Sequence, residues 1–322
     1  MALLELKDIT KFYDVEKGIF SLHCSQKIRA VEAVNLSLAP AKTMGLVGES
    51  GCGKSTLAKL IVKLIAPASG DIFFENKNIT QLREKEFRPL RKKIQIVFQD
   101  PYSSLSPRLK IKNIIAEPLQ AFKTEKKKIE SRIRELMEQV GLDKMYLARF
   151  PHQLSGGQRQ RVGIARALAT SAKLIVLDEA VSSLDLSTQA QVLNLLINLQ
   201  KKYKLTYLFI AHNLRVVRFI SDNVAIMYRG SIVEKGPTEI VYKKPLHPYT
   251  KKLLASQPSW SKRNLSQNHM PYFNKSRTDI SGDFSGCQFY QHCPKAKQRC
   301  RDSKPAFKQV NTEHGVSCFY ID

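Results

Sequence analysis

The amino-acid sequence predicts an α/β fold built around a mainly parallel β-sheet. Short segments rich in apolar and β-branched residues recur along the chain, at residues 43–48, 94–99, 173–179, 205–212 and 223–230. Helical patterns follow several of them, at residues 55–65, 158–169 and 188–203. Continuous apolar runs are typical of strands buried on both faces, and the alternation places crossover helices between parallel strands.

Two stretches depart from this alternation. Residues from about 100 to 165 are mostly helical in pattern and charged, which predicts a helical insertion. The composition changes again after residue 241, where the chain becomes rich in proline and lysine. We therefore predict a main domain over residues 1–240 and a C-terminal extension over residues 241–322. Within the extension, Pro245 and Pro248 disfavour a helix before Tyr249, and residues 250–255 predict a short one.

The charge balance favours acidic partners without choosing among them. The chain has 52 basic and 28 acidic residues, a net charge of +24. Nucleotide phosphates, nucleic acid and an anionic membrane surface all suit such a surface, and a lysine-rich solvated surface explains it equally well. Apolar residues make up 43% of the chain, which is enough for an ordinary globular core.

No targeting or membrane-spanning segment is evident in the sequence. The N-terminal stretch MALLELKDITKFYDV carries acidic residues and lacks the long apolar core of a signal peptide. No run of about 18 apolar residues occurs, so we expect no segment to span a bilayer. These observations predict a cytosolic protein, in which clustered cysteines favour metal binding over disulfides.

The segment GESGCGKST predicts a phosphate-binding loop. It fits the pattern G-x-x-x-x-G-K-[ST], follows a predicted strand and opens a predicted helix. Its glycines allow backbone N–H groups to point at phosphate oxygens, and the helix N-terminus favours the same anion. Lys54 is expected to reach the β- and γ-phosphates and Ser55 to ligate Mg²⁺. The nucleotide-binding residues are therefore Gly48, Glu49, Ser50, Gly51, Cys52, Gly53, Lys54, Ser55 and Thr56; Cys52, at an unspecified position, has no role of its own.

The segment LIVLDE predicts the second half of an ATP-hydrolysing site. Its apolar run places Asp178 at the carboxyl end of a buried strand, where ligands bind in open α/β sheets. Asp178 is expected to hold Mg²⁺, and Glu179 to polarise the attacking water.

A third motif, LSGGQRQR, predicts a second phosphate-binding helix N-terminus. It begins with Leu154, Ser155, Gly156, Gly157 and Gln158. One γ-phosphate does not need two such loops from the same subunit. We therefore expect a dimer in which this loop faces the ATP of the partner.

Over residues 3–240 the sequence resembles the ATP-binding cassette (ABC) family of P-loop NTPases. GESGCGKST matches its Walker A motif, LIVLDE its Walker B motif and LSGGQ its signature motif. Gln99 matches the Q-loop glutamine, His212 the switch histidine and Tyr13 the aromatic residue that stacks on adenine. The segment SSLD, which contains Ser183, Leu184 and Asp185, matches the D-loop. One departure is Ala180, which stands where proline is commoner.

The resemblance implies a nucleotide-binding domain with a mixed sheet and a helical subdomain, and a head-to-tail dimer that encloses two ATP molecules. Glu179 would be the general base, and His212 would hold the γ-phosphate and the water. Gln99 would also contact Mg²⁺ and link it to the helical subdomain, where a membrane partner docks.

The C-terminal extension resembles that of the cassettes that serve peptide and nickel importers, through the segment KKPLHPYTKKLLASQP. Four of the six cysteines follow it: Cys287, Cys293, Cys300 and Cys318. No C-x-x-C pair typical of zinc ribbons occurs among them, and four thiolates on loops suit an iron–sulfur cluster. Zinc and free or disulfide-bonded thiols remain alternatives. The resemblance to dipeptide and oligopeptide importer ATPases implies a [4Fe–4S] cluster.

The sequence therefore predicts the ATPase subunit of a bacterial peptide importer, peripheral on the cytoplasmic face of the inner membrane. The expected partners are a second homologous ATPase, two transmembrane permeases and an extracytoplasmic peptide-binding protein, with no nucleic acid. The alternatives are the ATPase of a nickel or other small-solute importer, and a soluble ATPase that acts on nucleic acid.

Overall fold

Strands occur in both the N-terminal and the C-terminal parts of the chain. The computed structural model describes residues 2–15, 26–256 and 285–321. The strands are β1 (Leu4–Val15), β2 (Gln26–Leu38), β3 (Thr43–Val47), β4 (Ser69–Phe74), β5 (Lys77–Asn78), β6 (Ile94–Val97), β7 (Leu174–Asp178), β8 (Thr206–Ala211), β9 (Asn223–Tyr228), β10 (Ser231–Pro237), β11 (Lys308–Gln309) and β12 (Gly315–Val316).

The helices flank these strands. They are α1 (Lys54–Ile61), α2 (Glu84–Phe87), α3 (Pro101–Ser104), α4 (Ile111–Ala121), α5 (Lys126–Gln139), α6 (Gly156–Leu168), α7 (Leu186–Tyr203), α8 (Leu214–Ile220), α9 (Thr238–Lys243), α10 (Pro248–Ala255) and α11 (Gln298–Asp302). Short 3₁₀ helices cover Arg88–Lys92, Lys144–Ala148, Pro151–Gln153 and Tyr290–His292.

The central sheet is mixed, with a parallel core. Its strand order is β11-β12-β10-β9-β3-β8-β7-β6. The five strands from β9 to β6 pair in parallel, and they are the five that the apolar segments of the sequence predict. Every residue of β3, β7 and β8 is buried, as expected for strands covered by helices on both faces. The predicted α/β fold with a mixed sheet is therefore confirmed.

A second, antiparallel sheet of order β2-β1-β4-β5 was not foreseen from the sequence. Its strands bury apolar residues on one face only, such as Leu4 and Leu6 in β1, and alternate them with polar ones. They also contain register shifts, for example between Ile9 and Lys11. Half-buried, irregular strands lack the continuous apolar run by which the parallel strands were recognised.

Two hydrophobic cores lie on the two faces of the central sheet. One packs α1 and the antiparallel sheet against residues such as Leu46 and Leu208. The other packs most of the remaining helices against the opposite face, through residues such as Val47 and Phe209. Tyr249 and Phe289 of the C-terminal extension belong to this second core.

The predicted helical insertion corresponds to helices α3 to α6. Within the described residues, no strand lies between Ile94–Val97 and Leu174–Asp178. In α5, Ile129, Ile133 and Leu136 are buried at intervals of three and four residues, which is the spacing of one helix face. The helices therefore form a compact layer beside the sheet edge that β6 provides.

The C-terminal extension joins the same sheet as the main domain. Strand β12 pairs with β10 in antiparallel register, and β11 pairs with β12. The predicted domain boundary at residue 240 stays a prediction. Hydrogen bonds of the central sheet join residues on its two sides. The polar stretch predicted to be loop-like up to about residue 283 lies largely outside the described residues.

Glu234 of β10 anchors the start of this extension. Its side chain is fully buried and accepts hydrogen bonds from the backbone N–H groups of Leu246 and His247, each at 2.8 Å. The ring of buried His314, next to β12, lies 2.8 Å from the same carboxylate. Leaving a buried N–H group without an acceptor costs about 1–3 kcal/mol. The Glu234 carboxylate therefore holds two distant parts of the extension against β10.

Helix α10 begins earlier than the sequence predicts. The predicted start at residue 250 was wrong, because Pro248 occupies the first helical position, where a missing N–H group costs nothing. His247 caps the helix: its Nδ1 accepts a hydrogen bond from the N–H group of Tyr249 at 3.0 Å. In the part of the chain that the structure describes, no helix is both long and apolar enough to cross a membrane.

The buried cap His247 predicts a pH dependence of stability. Burial lowers the pKa of His247 from 6.5 to about 4. Between pH 6.5 and about pH 4, the unfolded chain binds a proton at His247 that the folded chain does not bind. Falling pH therefore favours unfolding over this range. His247→Asn keeps a capping oxygen and removes this titration. Between pH 6 and 5, the free energy of unfolding of the parent should fall by up to about 1.4 kcal/mol per pH unit more than that of the variant.

Urea unfolding at several pH values, followed by circular dichroism, measures this difference. Parallel pH profiles for the parent and His247→Asn would contradict a neutral, buried cap.

Candidate nucleotide site

The phosphate loop lies between β3 and α1 and is held by close backbone contacts. A Cβ atom at Gly48 would lie 2.2 Å from the carbonyl oxygen of Met227. Gly53 has a φ of +108°, and a Cβ atom there would lie 2.0 Å from the carbonyl oxygen of Ala30. Both positions therefore require glycine, for space and, at Gly53, for conformation. Ser50 and Gly51 are exposed at the crest of the loop, and Thr56 lies in the first turn of α1.

Lys54 is buried inside this loop. Its Nζ donates to the carbonyl oxygens of Gly48, at 2.8 Å, and Glu49, at 2.9 Å. It also lies 3.7 Å from the sulfur of Cys52. Burial raises the pKa of the Cys52 thiol, and the neighbouring ammonium group opposes that rise. The phosphate loop therefore holds the Lys54 side chain in a fixed orientation. The buried Cys52 thiol contributes packing within the loop, which the sequence alone did not reveal.

Ser55 and Asp178 meet across the carboxyl edge of the parallel sheet. The Ser55 hydroxyl donates to the Asp178 carboxylate at 3.1 Å. Burial raises the pKa of Asp178, the Glu179 carboxylate adds to the rise, and the Ser55 hydrogen bond opposes it. A cation placed here would offset the cost of burying this carboxylate. Hydroxyl and carboxylate oxygens are ligands that Mg²⁺ prefers, so this pair fits the predicted metal.

Glu179 lies at the centre of the predicted catalytic residues. Its Oε2 accepts a hydrogen bond from the Gln99 side-chain amide at 2.8 Å and lies 3.5 Å from His212 Nδ1. Glu179 itself has a φ of +47°, a conformation that is strained for a non-glycine residue and occurs preferentially at functional sites. Its N–H group donates to the carbonyl oxygen of Ile210, which fixes it to β8. The structure therefore brings all three predicted catalytic side chains together.

The signature loop forms a capped helix N-terminus, as predicted. The Ser155 hydroxyl accepts from the Gln158 N–H group at 3.3 Å, and Gln158 Oε1 accepts from the Ser155 N–H group at 3.0 Å. The Gln158 amide also donates to the hydroxyl of Tyr146 at 3.1 Å. Tyr146 lies 12 residues away, and no local sequence pattern identified this contact. Leu154 is buried beneath the loop.

The D-loop lies beside the signature loop. A Cβ atom at Gly156 would lie 3.6 Å from Leu184, and one at Gly157 would lie 2.3 Å from Thr188 of α7. Asp185 caps α7 by accepting from the N–H groups of Ser187 and Thr188, while Ser183 is exposed.

The signature loop is not connected to the phosphate loop of the same chain. Among the described residues, no hydrogen bond or ion pair joins residues 154–158 to residues 48–56. The expectation that the signature loop faces the nucleotide of a partner stays a prediction.

Tyr13 lies apart from these residues, in strand β1. Its side chain is 41% exposed, and the ammonium group of Lys11 lies 5.8 Å from its ring centroid. An exposed ring on a strand is able to stack on a planar base, so its role in adenine binding stays a prediction.

The phosphate loop has one partner that sequence reasoning missed. The N–H group of Glu49 donates to the hydroxyl of Tyr249 at 3.0 Å, a contact that spans 200 residues. The sequence indicated only a short linker and helix around Tyr249. No local pattern signals a contact between a loop and a residue so far along the chain.

The four tail cysteines line one small cavity, together with His247, Phe289 and Tyr320 among other residues. They are free thiols. Burial raises the pKa of Cys287 to about 11, and the other three cysteines add to this rise. Within the described residues, however, no group of three or more His, Cys, Asp or Glu side chains is arranged to hold a metal ion. The predicted iron–sulfur site is therefore not confirmed. Four thiols are the right kind of ligand for such a cluster, but in this structure they are not arranged to hold one.

Two family profiles match the chain. One, described as ABC transporter, covers residues 31–182, and another, described as the C-terminal region of oligopeptide/dipeptide transporters, covers residues 233–300. Solved structures agree with the fold. The dimeric post-hydrolysis ATP-binding cassette MJ0796, bound to ADP and phosphate, has a TM-score of 0.65 and 29% identity over 73% of this chain and 98% of its own. CbiO1 from Clostridium perfringens has a TM-score of 0.65 and 27% identity over 75% and 91%.

Curated relatives match over almost the whole chain. The oligopeptide transport ATP-binding protein AppF of Bacillus subtilis is 43% identical over 98% of this chain and 96% of its own length. The dipeptide transport ATP-binding protein DppF of Haemophilus influenzae is 41% identical over 99% and 97%. Together with the phosphate loop, the Glu179 cluster and the signature loop, these matches show that the chain belongs to the ATP-binding subunits of the ABC transporter family, in the oligopeptide/dipeptide group.

Proposed function

We propose that this chain is the ATPase that energises import of di- and oligopeptides across a bacterial inner membrane. The observation that carries the proposal is the contact of Glu179 with both Gln99 and His212, next to the Ser55–Asp178 pair and the phosphate loop. These contacts support the assignment of Glu179 as the carboxylate base for hydrolysis of the γ-phosphate.

The residues have distinct roles in hydrolysis. Residues 48–56 bind the phosphates of ATP through backbone N–H groups, Lys54 and the N-terminus of α1. Ser55, Asp178 and Gln99 would hold Mg²⁺, which neutralises charge on the phosphate oxygens. Glu179 accepts a proton from the water that attacks the γ-phosphorus, and the bond to the leaving β-phosphate oxygen breaks. His212 orients the γ-phosphate and that water.

A dimer completes each site. The signature loop of one subunit supplies its helix N-terminus to the ATP bound by the other, with the D-loop beside it. Leu186, directly after the D-loop, is 84% exposed and is therefore accessible to a partner subunit. The solved relative described as dimeric also supports this arrangement.

The transported solute is inferred from the C-terminal extension and the relatives. The match to the oligopeptide/dipeptide extension covers residues 233–300, and the curated relatives are named for oligopeptide or dipeptide transport. The partners would be a second homologous ATPase, two membrane permeases and an extracytoplasmic peptide-binding protein. The chain would then lie on the cytoplasmic face of the membrane, bound to the permeases.

Replacing the proposed base tests the hydrolytic mechanism. Glu179→Gln keeps the shape of the side chain and removes the proton acceptor, so ATP should still bind while turnover falls by about 10²-fold or more. The bound ATP should hold the dimer closed. Steady-state phosphate release and size-exclusion chromatography with ATP measure both effects.

Glu138→Gln, on the exposed face of α5, is the matched control and should hydrolyse ATP like the parent. Hydrolysis by Glu179→Gln at close to the parental rate would rule out Glu179 as the base.

We propose further that the tail cysteines hold an iron–sulfur cluster, with zinc as the alternative. The support is that four thiols separated in sequence line the same cavity. The four thiols are not arranged as a metal site in this structure, so their side chains would have to move to bind a cluster.

Anaerobic purification tests this second proposal. We expect about four irons per chain and a brown colour in the parent and in Cys24→Ser, and loss of iron in Cys300→Ser. Stoichiometric zinc without iron would favour the alternative, and absence of both metals would leave the cysteines as free thiols.

A further inference from the structure

The contact between Glu49 and Tyr249 links the phosphate loop to the C-terminal extension. The N–H group of Glu49 donates to the Tyr249 hydroxyl, while the carbonyl oxygen of Glu49 accepts from Lys54. The Glu49 residue is therefore held from both sides, by a residue of the loop and by a residue of the extension.

The position of Tyr249 is itself fixed by the extension. Its side chain is fully buried, and its N–H group donates to His247, whose own backbone is anchored on Glu234. The hydroxyl therefore has little freedom to follow the loop if the loop moves. A rigid acceptor of this kind determines where the Glu49 N–H group lies.

Aromatic contacts connect Tyr249 to the cysteine tail. Its ring centroid lies 4.5 Å from that of Tyr228 and 5.6 Å from that of Phe289. Phe289 is buried, and its ring centroid lies 5.3 Å from that of Tyr228. It follows Cys287 by two residues, in a turn in which the N–H group of Tyr290 donates to the carbonyl oxygen of Cys287. A change in the packing of this turn is transmitted directly to the ring of Tyr249.

The strand next to Tyr249 also contacts the phosphate loop. Tyr228 follows Met227, whose carbonyl oxygen closely approaches Gly48, and the N–H group of Gly230 donates to Cys52 at 2.8 Å. The rings of Tyr249 and Phe289 and the phosphate loop therefore all pack against the end of β9, which carries Tyr228.

We propose that Tyr249 is a positioning residue for the phosphate loop, through which the packing of the cysteine tail sets the affinity for nucleotide. This inference rests on the proposed ATPase function. It assigns to the extension a role inside the cassette, in addition to any role in assembly with partners.

Removing only the hydroxyl tests the hydrogen bond. Tyr249→Phe keeps the ring contacts and leaves the Glu49 N–H group without its acceptor. We expect the affinity of the full-length chain for the ATP analogue AMP-PNP, with Mg²⁺, to fall about tenfold, and the KM for ATP to rise while kcat changes little.

Tyr207→Phe is the matched control. Tyr207 is fully buried, and its hydroxyl donates to the carbonyl oxygen of Leu196 at 3.1 Å, away from the phosphate loop. Both variants should lower Tm to a similar extent, but only Tyr249→Phe should weaken AMP-PNP binding. Equal affinities in both variants and the parent would overturn the inference while leaving the ATPase function intact. Absence of AMP-PNP binding by the parent would overturn the proposed function and the inference with it.

A double-mutant cycle tests the coupling to the tail. Phe289→Leu keeps an apolar side chain and removes the ring contacts, so it should weaken AMP-PNP binding in the parent. In the Tyr249→Phe background it should have little further effect, because the hydrogen bond through which it acts is absent. Additive effects of the two substitutions would show that the tail does not act through the Tyr249 hydroxyl.

Discussion

The parallel pairing of β3, β8 and β7 is the constraint on which the rest of the site depends. Parallel strands bring their carboxyl ends to one edge of a sheet. The phosphate loop follows β3, His212 follows β8, Asp178 ends β7 and Glu179 comes next. Ser55 and Asp178, which lie 123 residues apart along the chain, thus meet within hydrogen-bonding distance. The continuous burial of these strands keeps them in the centre of the sheet, because both of their faces are covered.

A second constraint unites the extension with the cassette. The buried carboxylate of Glu234 lies in the same sheet as the phosphate-loop strand and binds both the start of α10 and His314 near the C-terminus. This arrangement makes the extension part of the core rather than an appended tail. It also explains how Tyr249 reaches the phosphate loop from the second hydrophobic core.

Sequence patterns are most informative where the chemistry is local. The phosphate loop, the signature loop and the Asp178–Glu179 pair are contiguous motifs, and the buried parallel strands are continuous apolar runs. These patterns missed β1 and β2, whose polar halves and register shifts hide the strand pattern, and the partners Tyr146 and Tyr249, which only the fold brings close. Cysteine spacing identified the residues that share one cavity, but it does not determine where the side chains point.

We propose that ATP bound by this chain drives peptide import, and uptake of a labelled dipeptide by intact cells measures this step. Cells lacking the chain would be complemented with the parental sequence or with Lys54→Ala, which removes the buried ammonium group from the phosphate loop. We expect the parental chain to restore uptake and Lys54→Ala to leave it at the level of the deletion strain. Equal uptake with both chains, or a defect in nickel uptake with normal peptide uptake, would contradict the account.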